Sequence, residues 1–209
     1  MQDGASGHET LIEEGTDYHR TVIETFIKGT SLAGRRAYVL ARWGKERWDE
    51  LVAGFPKDDR RILISILPVR EYPLSLCARV DEEIARLAGA GERVRTFRDL
   101  GRASADANLG AVHASLVRGR TPHALLMSFP RVRSQYYSDG HATAVEVAPG
   151  NIQLEVIGAA SVTEPDCEST AGYFERAIEL VGAAGAQVEH VECRARGGRT
   201  CRFACTWRP

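Results

Sequence analysis

Four residues toward the carboxy end have the types and spacing of a metal site. They are Cys167, His190, Cys193 and Cys201, in the pattern C-x22-H-x2-C-x7-C. Thiolate and imidazole together suit zinc, which they hold tetrahedrally at about 2.3 Å from sulfur and about 2.0 Å from nitrogen. Two glycines, Gly197 and Gly198, lie between the alternating stretches Gln187–Glu192 and Arg202–Trp207. That pattern predicts a hairpin with Cys193 and Cys201 on adjacent strands, where opposed Cβ atoms sit roughly 5 Å apart. A Cys193–Cys201 disulfide meets the same distance, and buried, unreactive thiols are a third reading. The first residues, Met1 to Gly7, contain no apolar run. The expectation is therefore a reducing, cytoplasmic compartment, where such cysteines more often bind metal than pair. Zinc is preferred. Three thiolates and a histidine close its coordination, so it is structural and leaves no position for a reactive water.

The other cysteines read differently. Cys205 lies four residues beyond Cys201, about 13 Å along one strand, and is assigned to the core. Cys77 recurs with Val80, Ile84 and Leu87 at helical spacing and is also core. His190 and Cys193 are an odd number of residues apart, so a regular strand would turn them to opposite faces. Both can bind one ion only if the strand bulges or ends there. Glu189 and Glu192 are the fallback ligands.

The stretches Gly172-Tyr173-Phe174, Val191–Gly198 and Cys201-Arg202-Phe203 resemble the 4-vinyl reductase domain, which also forms the sensor half of bacterial phenol-responsive activators. Cys167, Cys193 and Cys201 fall on that family's three zinc cysteines, and His190 falls where those sensors have Glu. Gly29, Leu32, Gly44-Lys45, Pro73-Leu74, Leu100-Gly101-Arg102 and Tyr137–Gly140 resemble a related uncharacterised bacterial family of the NO-signalling/Golgi-transport superfamily. Together the resemblances cover about residues 28–208. They imply a ligand sensor, or a pairing module like the Golgi transport-particle subunits. The haem sensors of that superfamily carry a Y-x-S-x-R anchor. Here Tyr136-x-Ser138 is followed by Gly140 rather than Arg, so haem is disfavoured.

Composition sets the limits. The chain has 209 residues, is 44% apolar and carries a net charge of -1, enough to bury a core and too neutral to be drawn to nucleic acid. No stretch approaches the roughly 20 apolar residues of a membrane span. Residues 1–16 read as a mobile polar tail and 17–209 as one domain.

The elements that must position the cysteines follow from periodicity. Helices are predicted at Tyr18–Lys28, from Ser31 to Gly44, from Lys45 to Phe55, from Asp58 through Ile62, Ile64 and Ile66, from Pro73 through Leu87, and over Phe97–Arg118. A strand hairpin follows, Tyr137 with Ala142–Ala148 and then Ile152–Ile157, turning at Pro149-Gly150-Asn151. Gly172–Ala184 returns to helix. The fold class is α+β: an amino-terminal helical layer on a small antiparallel sheet, one inserted helix and a carboxy-terminal zinc hairpin.

No catalytic signature is present: G-x-S-x-G, H-E-x-x-H and phosphate-binding glycine loops are all missing. The expectation is a non-enzymatic sensor of an apolar, aromatic or acyl molecule, acting through a homodimer or an unknown protein partner. The alternative is an interaction module without a regulatory ligand. The expected pocket has Leu109, Val112, His113 and Leu116 of the long helix on one wall and Tyr136 and Tyr137 on the other. Trp43, Trp48 and Phe55 on more than one helix face suggest the homodimer.

Overall fold

The computed structural model describes residues 24–109, 117 and 119–208. The architecture is α+β. In chain order come β1 (Phe26–Lys28), α1 (Thr30–Ala53), α2 (Lys57–Ile64), β2 (Glu71–Pro73), α3 (Leu74–Ala88), α4 (Arg93–Ala107), α5 (Pro122–Met127), α6 (Phe129–Tyr136), β3 (His141–Ala148), β4 (Asn151–Ile157), α7 (Glu164–Leu180), β5 (Ala184–Glu192) and β6 (Cys201–Arg208). The larger sheet is antiparallel, in the order β3-β4-β6-β5. β1 and β2 form a separate small ribbon, pairing Ile27 with Tyr72.

The described residues form two main apolar cores and a smaller third one. One gathers α1–α3 around Leu32, Val39, Trp48, Val80 and Ile84. The other lies between α7 and the sheet, with Ile152, Leu154, Phe174, Ile178 and Phe203. α4 and α7 cross with their backbones touching. A Cβ on Gly101 would lie 1.8 Å from the Ser169 carbonyl oxygen, and one on Gly172 2.1 Å from that of Arg98. Glycine at both positions is what allows the crossing. Arg35 of α1 is buried, and its Nε and Nη2 bond the two carboxylate oxygens of Asp81 on α3 at 2.9 and 3.0 Å. Nη2 also reaches Ser169 of α7 at 2.9 Å.

Several expected elements change. The end of the predicted helix Tyr18–Lys28 is strand β1, because the β-branched and aromatic run Thr25-Phe26-Ile27 finds a partner strand in Glu71–Pro73. Residues 1–23, the tail among them, lie outside the described residues. Gly44, at φ 85, breaks α1 into the two expected helices. The first starts at Thr30 with Gly29 as its cap, not Ser31. The long helix begins earlier than expected, at Arg93, and is α-helical to Ala107, and most of the remainder of its expected span to Arg118 lies outside the described residues. α7 begins at Glu164, eight residues before the expected start, because Thr163 caps it and Pro165 suits its first turn. α5 and α6 were not expected. Of the three aromatic residues expected to suggest a dimer, Trp48 and Phe55 are buried within this chain and Trp43 is partly buried. No helix among the described residues is long and apolar enough to cross a membrane.

A candidate metal centre beside an interlayer cavity

Cys167, His190, Cys193 and Cys201 converge, with their ligand atoms all within 4.8 Å of one another. Each arrives by a different route. Cys167 stands in the first turn of α7, turned toward the sheet. Cys201 opens β6 and points inward with Phe203 and Cys205, all three buried. His190 and Cys193 reach the same side because the β5–β6 register shifts between His190 and Glu192. The bulge leaves Val191 unpaired and supplies the parity change that the sequence required. Arg194–Arg196 make one 3-10 turn, and Gly197, at φ 88, returns the chain to β6.

The donor atoms of the cluster are of the kind that could hold a soft metal ion. Cys167 Sγ lies 3.5 Å from Cys201 Sγ, and all five cysteines are free thiols. Tetrahedral zinc spaces its ligands roughly 3.5–3.8 Å apart, given the bond lengths above. The hydrogen bond from the Cys167 thiol lowers Cys201 to about 4 and Cys193 to about 6, while Cys167, as the donor, is pushed upward. The backbone N–H of Arg194 also donates to the Cys201 sulfur at 3.5 Å. His190 Nδ1 lies 2.9 Å from Glu168 Oε1. That leaves Nε2 for the sulfurs, buried and without a hydrogen bond. The His190 ring stacks on Phe203 at 4.7 Å between centroids. Cys205 is buried two residues past Phe203 and outside the cluster, as is Cys77 in the helical core.

Beside the cluster is a cavity of about 120 Å³ between the helical layer and the sheet. Its walls include Arg35, Arg133, Tyr136, Tyr137, Asp166 and Tyr173, and Cys167 and Cys201 themselves. Tyr137 donates to Asp166 Oδ1 at 2.9 Å, and the Arg133 guanidinium lies 4.5 Å from the Tyr137 ring centroid. Burial lifts the Asp166 carboxyl to about 6, against the hydrogen bond from Tyr137 and the charge of Arg35.

The pocket expected from sequence is only partly this one. Tyr136 and Tyr137 line it, but Tyr136 ends helix α6 instead of entering a strand. Leu109 is buried with Ala105, Leu125 and Ala177 and does not line the cavity. Val112, His113 and Leu116 lie outside the described residues. Asp166, Arg35 and Glu168 were missed. Only Glu168 carried a signal, its place next to Cys167.

No family model matches the chain, and no curated protein matches it. Solved structures do. The H-NOX protein of S. oneidensis in its Fe(II)NO state is 18% identical, covering 88% of this chain and 100% of that one, with a TM-score of 0.69. A point mutant of the T. tengcongensis H-NOX is also 18% identical, covering 88% and 98%, at 0.67. A mutant H-NOX protein from K. algicida, Fe(II) and unliganded, is 12% identical, covering 88% and 97%, at 0.67. At these identities the likeness establishes a shared fold.

The neighbours correct the sequence reading. They are H-NOX proteins, not 4-vinyl reductase or Golgi-transport proteins. The zinc-based sensor of apolar molecules and its interaction-module alternative give way accordingly. Haem was disfavoured because Gly140 stands where the anchor Arg is expected. That ground falls, since this is the fold of proteins solved with ligated Fe(II) and studied for haem distortion. Haem needs an axial donor such as His, Cys, Met or Tyr. The described cavity walls offer the oxygens of Tyr136, Tyr137 and Tyr173 and the sulfurs of Cys167 and Cys201, with no histidine among them, and their two arginines are already engaged, Arg35 by Asp81 and Arg133 by the carbonyl oxygens of Asp139 and Gly140. At about 120 Å³ the cavity is also below the roughly 300 Å³ of the smallest drug-sized sites. At that volume the described cavity has no room for haem, and no chemical step is derived through it.

Proposed function

We propose that this chain is a non-catalytic sensor domain of the H-NOX fold, with a haem-borne gas as its ligand class. The carrying observation is the fold, shared with proteins solved holding Fe(II) with NO or CO, in which a cavity lies between the helical layer and the sheet. Phe129, Tyr136 and Tyr173 at its wall suit a flat apolar body. Haem entry must widen the cavity, so binding and a change in the packing of the layers go together. Such a change is how a sensor passes occupancy to a partner surface. Pairing of two copies belongs to the same proposal, with Ile64, Leu67 and Val69 as the exposed apolar side chains available to it. The test is to titrate the purified chain with hemin, reduce it and add CO. A saturable Soret band at one haem per chain that shifts with CO is expected. Absence of a saturable band overturns the reading.

A second site belongs to the proposal, favoured by the unpartnered His190 Nε2 among three sulfurs. Cys167, His190, Cys193 and Cys201 bind one zinc ion that ties α7 to the β5–β6 hairpin. Such a site requires reduced thiols, hence a reducing, cytoplasmic compartment. Elemental analysis of protein purified without added metal tests it. Less than about 0.2 zinc per chain in folded protein rejects it.

A further inference from the structure

The zinc quartet leaves open what holds His190 in place. Its side chain is 2% exposed and that of Glu168 5%. Glu168 Oε1 meets His190 Nδ1 at 2.9 Å. Its other oxygen accepts from Arg98 Nε at 3.1 Å. Both carboxylate oxygens are therefore engaged, so Glu168 is not itself free to be a ligand. Arg98 is anchored in turn, its Nη1 donating to Glu175 at 2.8 Å and to the Val188 carbonyl oxygen at 3.1 Å. Arg196 adds a second cation 3.6 Å from Glu168. A line of contacts thus runs from α4 through Arg98 and Glu168 to the ring of His190.

Resting on the zinc reading, we propose that Glu168 and Arg98 are positioning residues for that metal. Glu168 holds the His190 tautomer with its proton on Nδ1 and the lone pair of Nε2 toward the sulfurs. Arg98 keeps Glu168 aimed. An imidazole can bind through either nitrogen, and the hydrogen bond made by one decides which faces the metal. Phe203 stacked on the ring fixes its plane but not which nitrogen points inward. Arg196 Nη2 also lies 3.2 Å from Nδ1, but its side chain is exposed and a guanidinium can only donate. The Glu168 carboxylate is closer, buried and can only accept, so Glu168 makes the choice. Because Cys167 precedes it, one turn of α7 supplies both a ligand and the group that orients another. Through Arg98 the metal is connected to α4, the helix whose Ser104 lines the cavity.

The test uses the full chain and zinc alone. Affinity is measured by competition with a chromophoric chelator, and the His190 tautomer by long-range proton–nitrogen NMR of the zinc-loaded protein. Zinc on Nε2 with the proton on Nδ1 is expected in the wild type. Glu168→Ala should weaken zinc roughly 10- to 100-fold with the circular dichroism spectrum unchanged, and Arg98→Met should weaken it less. Zinc on Nδ1 in the wild type overturns the proposal even if Glu168→Ala fails to fold. So does Glu168→Ala with affinity within about twofold of wild type. If His190→Ala itself keeps wild-type affinity, the zinc assignment of His190 fails first and the proposal falls with it.

Discussion

Cys167 and Cys201 stand thirty-four residues apart in the chain, yet their sulfurs lie 3.5 Å from each other. One belongs to the first turn of a helix and the other to the first position of a strand. The contact fastens α7 to the sheet at the point where the cavity ends.

Removing that fastening should show in stability and metal content together. Cys201→Ser is expected to lose zinc and several kcal/mol of folding free energy, since structural zinc binding and folding are coupled. Cys205→Ala, in the same core but outside the cluster, should keep about one zinc per chain and lose only its packing contribution. Parallel metal analysis and chelator-dependent melting distinguish the two. Equal zinc loss in both variants would remove Cys201 from the ligand set.

The α4–α7 crossing should tolerate nothing larger than glycine. A Cβ at residue 101 or 172 falls about 2 Å from a backbone oxygen, closer than any contact can be. Gly101→Ala and Gly172→Ala should each destabilise by about 1–3 kcal/mol or more. Gly91→Ala, with open space around its Cβ, serves as the control. Urea midpoints read the difference, and a neutral Gly101→Ala would contradict the close crossing.

Asp81→Asn should be among the most damaging polar substitutions. It leaves the buried Arg35 guanidinium without its counter-charge. Breaking one half of a buried pair costs about 3–5 kcal/mol, largely as the penalty of the charge left behind. Replacing both partners, Arg35→Met with Asp81→Leu, should recover most of the loss in the same urea experiment.

Glu179 gives a pH signature. The hydrogen bond from Arg102, helped by Arg176, holds its carboxyl below the usual carboxylate range. A lowered folded-state value means stability present above the unfolded value of roughly 4.3 and lost as pH falls through the folded one. Glu179→Gln should therefore cost up to about 1 kcal/mol at pH 7, the modest worth of a partly exposed pair, and clearly less near pH 3. Equal destabilisation at both pH values would assign the effect to packing.

The α+β class, the β3–β4 and β5–β6 hairpins and the helix at Leu74–Ala88 were legible in the sequence, as were the four residues Cys167, His190, Cys193 and Cys201 that the structure brings together. Each depends on local signals: alternation, turn glycines, a helix-opening proline and the chemistry of Cys and His. The parity of His190 and Cys193 called for a bulge or a strand end if both face one ion, and the register shifts at Val191. Tertiary structure alone decided the rest. Phe26–Lys28 became a strand because Glu71–Pro73, more than forty residues on, pairs with it. Arg35 and Asp81 lie forty-six residues apart, and no periodicity joins them. Glu168 became the partner of His190, and Asp166 of Tyr137, once α7 began at Thr163 and packed on the sheet. Local spacing sets which face a side chain takes. Which side chain it meets there depends on how distant segments pack, and that is a property of the folded chain.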